Sequence, residues 1–181
     1  MSLPDLTALW LTARLALVTT LVLLIIGTPL AWWLAQTRSR FKPAIEALIA
    51  LPLVLPPTVL GFYLLIAMSP NAPFGGFWLA ATGDTLSFSF VGLVIGSVVY
   101  SFPFMIQPLQ SAFEGPVQQA MRTAASLRAS RIDAFFSVAV PMSARGFVTA
   151  IVLSFAHTLG EFGVVLMVGG NIPDRTRVAS I

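Results

Sequence analysis

The sequence predicts an all-α protein, a bundle of helices that crosses a membrane several times, and three observations lead to this fold class. The composition is 57% hydrophobic and only 9% charged, with a mean hydropathy of +0.90, which leaves too little polar surface for a water-soluble domain of this size. Long stretches of the chain carry no Asp, Glu, Lys or Arg. Most of the basic residues are gathered in the short segments between those stretches.

The apolar stretches predict where the chain spans the membrane. Each charge-free stretch exceeds the ~20 residues that a helix needs to cross the hydrocarbon layer; these are Leu15–Thr37, Ala47–Gly83 and Thr85–Phe113. A fourth stretch, Gly146–Gly170, is interrupted only by His157 and Glu161. We therefore predict a single transmembrane permease-like domain over residues 1–181, with spans at about 12–36, 46–68, 87–113 and 143–168 and a polar loop at about 114–142. The first stretch is too long for a signal peptide and is expected to be retained.

The basic residues predict the orientation of the chain. Short cytoplasmic loops are enriched in Lys and Arg. Seven of the ten basic residues fall in the first connection and in the segment between the third and fourth spans: Arg38, Arg40, Lys42, Arg122, Arg128, Arg131 and Arg145. This side is predicted to face the cytoplasm, which places the N-terminus outside.

The composition also excludes several classes of site. With no Cys and one His, the chain lacks the ligands of a thiolate or structural zinc site, and a lone His without a paired nucleophile gives no catalytic constellation. The net charge of +3 has no aromatic-interleaved basic stripe beside it, so nucleic acid is not an expected partner. We expect no metal, no cofactor and no catalytic residue in this chain, and the lipid bilayer as its surroundings.

Prolines inside the predicted spans indicate where helices deviate from straight geometry. Proline removes a backbone donor and crowds the preceding turn, so we expect a kink or unwound section in the second span and a bend in the third. Neighbouring helices can also compensate such breaks, so a structural role and a pathway-lining role both stay open. The prolines are Pro52, Pro56, Pro57, Pro103 and Pro108. Between these spans, Ser69–Gly83 has turn chemistry and is predicted to be a connecting loop.

The polar loop has a different character from the spans. Alanines favour helix in it, and Arg122, Arg128 and Arg131 give it a cationic face. It is too polar to cross the membrane, and a helix–turn–helix at the membrane surface fits the pattern. Composition alone favours an interfacial connector whose arginines contact anionic lipid.

The spacing of this loop resembles the cytoplasmic loop of type I ABC-importer permeases, whose pattern is Glu-Ala-Ala, three residues, Gly, nine residues and Ile-x-Leu-Pro. The register runs from Arg122 through Arg128 to Val138–Pro141. Arg122 stands where the family has Glu, Thr123 where it has Ala, and Arg128 where it has a turn-forming Gly. Because a side chain costs energy at positive φ, the turn at Arg128 is expected to be built differently here.

Two further stretches narrow the resemblance to the molybdate-type permeases. They are Leu51–Leu65, LPLVLPPTVLGFYLL, and Leu159–Arg177, which carries Gly-Glu-Phe-Gly, an apolar stretch and Gly-Asn-Ile-Pro-x-x-Thr. Sulfate permeases share the Gly-Glu-Phe-Gly element but are less similar around Leu51–Pro57, so the resemblance ranks molybdate or tungstate first and sulfate second. Similar permeases continue into a further spanning helix. The expected fold is thus a type I permease bundle with a cytoplasmic coupling-helix loop and without that C-terminal helix.

The resemblance implies a transport subunit of the bacterial inner membrane that hydrolyses nothing itself. It implies a homodimer of this chain, two cytoplasmic ATP-binding subunits docked on the loop helices, an external oxyanion-binding protein, and alternating access. The residues it assigns to ATPase docking are Arg122, Thr123, Ala124, Ala125, Ser126 and Arg128.

Glu161 is the one acid inside a predicted span, and such carboxylates are candidates for function because they are costly to bury. His157 lies four residues earlier on the same helical face, which leaves open a proton-coupled secondary transporter that uses both residues. A membrane scaffold without a pathway is a third alternative, disfavoured by the kinked spans. We expect Glu161 near the outer end of its helix, hydrogen-bonded to backbone or to its dimer mate and shaping a gate. A carboxylate repels a dianion, so Thr58 and Thr158 are the other pathway candidates.

Overall fold

The computed structural model describes the backbone of residues 3–173 and 175–180, and the side chains from residue 6 onward within those ranges. The described part is helical and contains no β-strand, in agreement with the all-α prediction. A π-helical turn, Phe135–Ala139, separates the seventh and eighth helices. The helices in chain order are α1 Leu3–Gln36, α2 Lys42–Val54, α3 Pro57–Ala67, α4 Pro73–Thr82, α5 Phe90–Phe113, α6 Pro116–Ser126, α7 Arg131–Ala134, α8 Val140–Met142, α9 Ala144–Gly160 and α10 Gly163–Gly169.

Two helices in the described part are long and apolar enough to cross a membrane by themselves. They are the Leu6–Gln36 part of α1 and the whole of α5. The total rises to four if each of two bent helix pairs counts as one span. Helix α5 runs without interruption through Pro103 and Pro108 and packs against both α1 and α9. The four-span division proposed from the sequence stays a prediction.

The second predicted span is broken where the prolines indicated. The chain direction bends by 107° between helices α2 and α3. Leu55 between them is extended, with ψ 136°, and Pro57 begins α3. Because Pro56 and Pro57 have no N–H to give to the preceding turn, the break leaves no donor unsatisfied at those two positions. The fourth predicted span is preceded by a second bend, of 71° at Ser143, between the α7–α8 segment and α9.

The connector between the second and third spans differs from its prediction as a loop, because it contains the ten-residue helix α4. Pro73 occupies the first turn of α4, where its fixed φ suits a helix start, and Gly83 ends the helix at φ +78°. Gly75 allows the helix to approach the preceding backbone closely, since a Cβ there would lie 2.2 Å from the Ser69 carbonyl oxygen. The turn residues that suggested a loop are in fact the caps of a short helix.

Aromatic rings join α1, α5, the π-helical turn and α9 at one end of the bundle. The Trp32 ring lies edge-on to Phe113 at 5.1 Å and to Phe135 at 4.9 Å between centroids. Phe113 also contacts Phe147 at 5.7 Å. Such edge-to-face pairs stabilise by about 1 kcal/mol each beyond the burial of their area. Through Phe135, this cluster packs the polar loop against α1 and α5.

Candidate functional site

A pocket of about 430 Å³ lies where two breaks in the spans meet. One wall is the start of α3, and the other is the break between α9 and α10 at Glu161–Phe162. The two walls touch, since a Cβ on Gly163 would lie 2.6 Å from the Cβ of Pro57. The lining residues are Pro57, Thr58, Tyr100, Ala156, His157, Gly160, Glu161, Phe162 and Gly163. We call this the membrane pocket.

His157 is fixed in the wall of the membrane pocket by a chain of hydrogen bonds. Its Nδ1 lies 2.9 Å from Ser101 Oγ, and Ser101 Oγ lies 3.1 Å from Thr158 Oγ1. The Thr158 hydroxyl donates to the Ser154 carbonyl oxygen at 2.9 Å. Since each hydroxyl has one proton, one direction fits all three bonds: His157 Nδ1–H donates to Ser101, and Ser101 donates to Thr158. The imidazole also stacks on Phe104 at 4.0 Å.

Glu161 forms the end of the wall, and one of the two hydrogen bonds considered for it is missing. It is the C-cap residue of α9, as expected for a helix end, and is only 3% exposed. Neither of its buried carboxylate oxygens makes a hydrogen bond of normal distance and angle with the described residues, although the Ser97 hydroxyl lies near them. The expected bond to backbone is therefore absent from that part of the chain, and the alternative bond to a dimer mate stays a prediction. Its own carbonyl oxygen accepts a bond from Ser180 Oγ at 2.6 Å. No described hydrogen bond joins Glu161 to His157.

Of the three pathway candidates, Thr58 and Glu161 line the membrane pocket and Thr158 does not. Thr58 is exposed near the start of α3 and lines the membrane pocket together with Glu161. Thr158 is 1% exposed, and its hydroxyl is committed to Ser101 and Ser154. Thr158 therefore supports the position of His157 and does not line the pocket.

The polar loop forms the expected helix–turn–helix, and the turn has a defined geometry. Arg128 N–H donates to the Ala125 carbonyl oxygen at 3.0 Å, and Ala129 N–H donates to that of Ala124 at 3.1 Å. This pair of bonds is a Schellman motif, which places its central residue in the left-handed region. Arg128 has φ +62°. The expectation of a different turn at Arg128 was therefore wrong, because the two backbone bonds hold an arginine in the conformation that favours glycine.

The residues predicted to dock an ATPase fall on different sides of α6. Thr123, Ser126 and Arg128 are exposed and line neither the membrane pocket nor the cavity beside α6. Ala124 is half-buried and serves the turn through its carbonyl group. Arg122 and Ala125 line a second cavity, of about 790 Å³, between α6 and the end of α1. We call this the basic pocket, after its basic side chains Arg38, Lys42, Arg122 and Arg131; Trp32 and Glu114 also line it.

A carboxylate network beside the basic pocket could not be found by reading the sequence. Lys42 Nζ donates to Glu114 Oε1 at 3.0 Å and lies 3.7 Å from Glu46 Oε1. Gln110 Nε2 donates to Glu46 Oε1 at 2.6 Å and to Glu114 Oε1 at 3.2 Å. These four residues join α2 to the end of α5. Since Lys42 and Glu46 are far in the chain from Gln110 and Glu114, only the fold brings the two pairs together.

The network changes the acidity of its two central groups. The hydrogen bond to Glu114 raises the pKa of Lys42 above its ordinary value. Partial burial alone would raise the pKa of Glu114, but the hydrogen bonds from Lys42 and Gln110 outweigh burial and lower it. Both shifts favour the ion pair. The link between α2 and α5 is therefore charged near neutral pH.

Bent apolar helices, a pocket at the helix breaks that includes Thr58, His157 and Glu161, and a basic amphipathic loop are the features of a membrane transport permease. The profile of the family "Binding-protein-dependent transport system inner membrane component" matches residues 27–181, and the chain belongs to this family. This confirms the predicted permease fold class and a transport role without catalysis. It also confirms the inner membrane as the location.

The relatives of this chain carry a more specific description. The molybdenum transport system permease protein ModB of Azotobacter vinelandii is 57% identical over 177 residues, covering 98% of this chain and 78% of the relative. ModB of Escherichia coli K12 is 34% identical over 96% of this chain and 76% of its own length. A putative molybdenum transport system permease protein, YvgM of Bacillus subtilis, is 34% identical over 94% and 75%.

Proposed function

We propose that this chain is the membrane-spanning subunit of an ATP-driven importer that moves molybdate or tungstate across the inner membrane by alternating access. The observation that carries the proposal is 57% identity, over nearly the whole chain, to a molybdenum transport permease. Sequence similarity at that level, together with the Leu51–Leu65 and Leu159–Arg177 stretches, favours molybdate over sulfate. The proposed assembly is a homodimer with two ATP-binding subunits and an external oxyanion-binding protein, and the N-terminus lies outside.

In this proposal the membrane pocket belongs to the gate of the pathway. Thr58 presents a hydroxyl at a helix break, where side-chain and backbone donors suit an oxyanion better than a carboxylate does. Glu161 shapes the closed end of the gate. The proton-coupled alternative would require exchange between Glu161 and His157, and the hydrogen bonds of His157 run towards Ser101 instead.

The test is uptake of labelled molybdate into proteoliposomes that hold the permease, its cognate ATPase and its binding protein. The expected result is uptake that requires ATP, survives a protonophore and is blocked by tungstate but not by sulfate. Competition by sulfate would move the assignment to the sulfate-type permeases. Uptake that collapses with the proton gradient would refute the ATP-driven mechanism and direct attention to Glu161 and His157.

We further propose that the ATPase docks on the six-residue set that begins at Arg122, with Thr123, Ser126 and Arg128 as its outward contacts. Motion of the ATPase would then reach the spans through α6 and α5, which are joined by the two residues Glu114 and Gly115. Gly115 has φ +64°. The chain contains no Cys, so single cysteines can be introduced without background. Crosslinking to the ATPase is expected from Thr123→Cys and Ser126→Cys. Thr82→Cys, at the end of α4, is the control that should stay unlinked, and failure at every loop position would refute the docking surface.

A further inference from the structure

The basic pocket holds more positive charge than its protein partners neutralise. Lys42 is engaged by Glu114 and Glu46. Within the part of the chain that the structure describes, no carboxylate lies within 4.0 Å of the guanidinium groups of Arg38, Arg122 or Arg131. Three arginines therefore face one cavity of about 790 Å³ without an anionic partner among the described residues.

The pocket also lies where an apolar span gives way to polar chain. One wall runs from Trp32 in α1, which packs in the aromatic cluster, to Arg38 beyond the end of α1, the first charged residue after a charge-free stretch. Tryptophan and arginine at such a boundary occupy the headgroup level of a bilayer. A basic pocket at the predicted cytoplasmic end of membrane helices, closed by the polar loop, is suited to an anionic lipid headgroup.

The wall contributed by α6 is the face that turns towards α1. Gln118 Nε2 donates to the Ala35 carbonyl oxygen, which fixes this side of α6 against the end of α1. Arg122, one turn further, lines the same cavity. Thr123 and Ser126 lie outside the cavity. A protein that contacts those outward residues would leave the basic pocket open towards the membrane.

We propose that the basic pocket binds the phosphate group of an anionic phospholipid, with the arginines on the phosphate oxygens and the lipid chains along α1. The guanidinium group suits this role because its planar fork donates two parallel hydrogen bonds to phosphate oxygens. The occupant would join the end of α1 to α6, adding a link between the spans and the loop. This inference concerns a site separate from the transport pathway and does not depend on the identity of the transported anion.

The test measures lipid retention by the purified full-chain permease with native mass spectrometry. The probes are phosphatidylglycerol and phosphatidylcholine with identical acyl chains, and inorganic phosphate as a free competitor. The pocket variant is Arg122→Gln with Arg131→Gln. The matched control is Arg40→Gln with Arg145→Gln, which removes the same charge outside the pocket. A third variant, Arg122→Lys with Arg131→Lys, keeps the charge but removes the guanidinium fork.

The wild type is expected to retain phosphatidylglycerol in preference to phosphatidylcholine. The pocket variant should bind phosphatidylglycerol about 30-fold more weakly, and the control should change by less than about threefold. The lysine variant should lie between them. Because the wild-type preference is measured without any variant, misfolding of a variant cannot hide the result.

Four results would overturn the proposal. The first is equal retention of the two lipids by the wild type, and the second is an equal loss in the pocket variant and the control. The third is displacement of phosphatidylglycerol by millimolar inorganic phosphate, which would indicate a site for a free anion. If the pocket variant loses the ATPase subunit in a pull-down but keeps its lipid, the cavity is a protein-docking surface and the lipid assignment is wrong.

Discussion

The Lys42 ammonium lies 3.0 Å from Glu114 Oε1, which ties the start of α2 to the end of α5 across 72 positions of the chain. Glu114 directly precedes Gly115, the N-cap residue of α6. The ion pair therefore lies immediately before the start of α6. The pair is partly exposed, with side-chain accessibilities of 25% and 41%, so its contribution is modest.

Lys42→Met should weaken this link and leave Glu46 and Glu114 facing each other without a cation. In a double-mutant cycle with Glu114→Gln, we expect a coupling free energy of about 0.5–1 kcal/mol, the upper range for a partly exposed pair. Thermal unfolding of the detergent-solubilised permease measures it. A coupling near zero would mean that the ion pair contributes nothing to stability.

The same pair predicts a pH dependence of stability. The folded-state pKa of Glu114 is lowered from an ordinary value of 4.5, so its contribution is present above that value and is lost as pH falls through the lowered pKa. The pKa of Lys42 is raised from 10.5, so its contribution persists to that pH and is lost above it. The difference in melting temperature between wild type and Glu114→Gln should be constant from about pH 6 to 9 and shrink below about pH 4. A difference that grows at low pH would contradict this account.

Arg128→Gly should stabilise the loop, because glycine adopts the left-handed conformation without the clash that arginine bears. The expected gain is about 0.5–1 kcal/mol, reduced by the greater freedom of glycine in the unfolded chain. Leu127→Gly is the control, since Leu127 has φ −87° and should lose stability. Thermal unfolding of both variants checks the prediction, and a loss in Arg128→Gly would indicate that the arginine side chain compensates its own strain.

Gly146→Ala should destabilise the contact between α9 and α5. The new methyl group would lie 2.2 Å from the Cβ of Ala112, and overpacking of this kind costs about 1–3 kcal/mol. Gly160→Ala at the other end of α9 meets nothing within 4 Å and serves as the matched control. Equal melting temperatures for the two variants would show that α9 can move away from α5 at no cost.

Ser101→Ala should disturb the wall of the membrane pocket, because Ser101 links His157 to Thr158. Removing it leaves buried partners without their bonds, at a cost of about 1–3 kcal/mol. Thr19→Val on α1 removes a buried hydroxyl that has no hydrogen-bond partner among the described residues, keeps the side-chain volume, and should be neutral or stabilising. The histidine ring signals in an NMR spectrum should shift only in the Ser101 variant. A shift in the Thr19 variant and none in the Ser101 variant would mean that Ser101 does not hold His157.

The sequence was most informative where one strong local signal acts. Charge-free stretches predicted the long helices, and Pro56 with Pro57 predicted the break between α2 and α3, since a missing N–H acts at its own position. Helix α4 was mistaken for a loop because the residues that cap a helix also form turns. The Gly position of the family spacing located the turn at Arg128, but the arginine suggested the wrong geometry, since two backbone bonds outweigh a side-chain preference.

The site was less predictable than the fold. Thr58 and Glu161 do meet in one pocket, although nothing local in the sequence connects them. Thr158 shares its residue type with Thr58 but faces into the bundle, a difference set by the packing of α9 against α5. The contacts of Lys42 with Glu114 and of Gln110 with Glu46 could not be predicted from the sequence, because they join distant parts of the chain.

The touching breaks at Pro57 and Gly163 have a mechanical consequence. A continuous helix resists bending along its whole length, because each turn is held by its own hydrogen bonds. Here the helical hydrogen bonding of two neighbouring helix pairs is interrupted at positions in contact with each other, so bending at these positions would leave the internal hydrogen bonds of α2, α3, α9 and α10 intact. Glu161 lies at one of these two breaks, as the C-cap residue of α9.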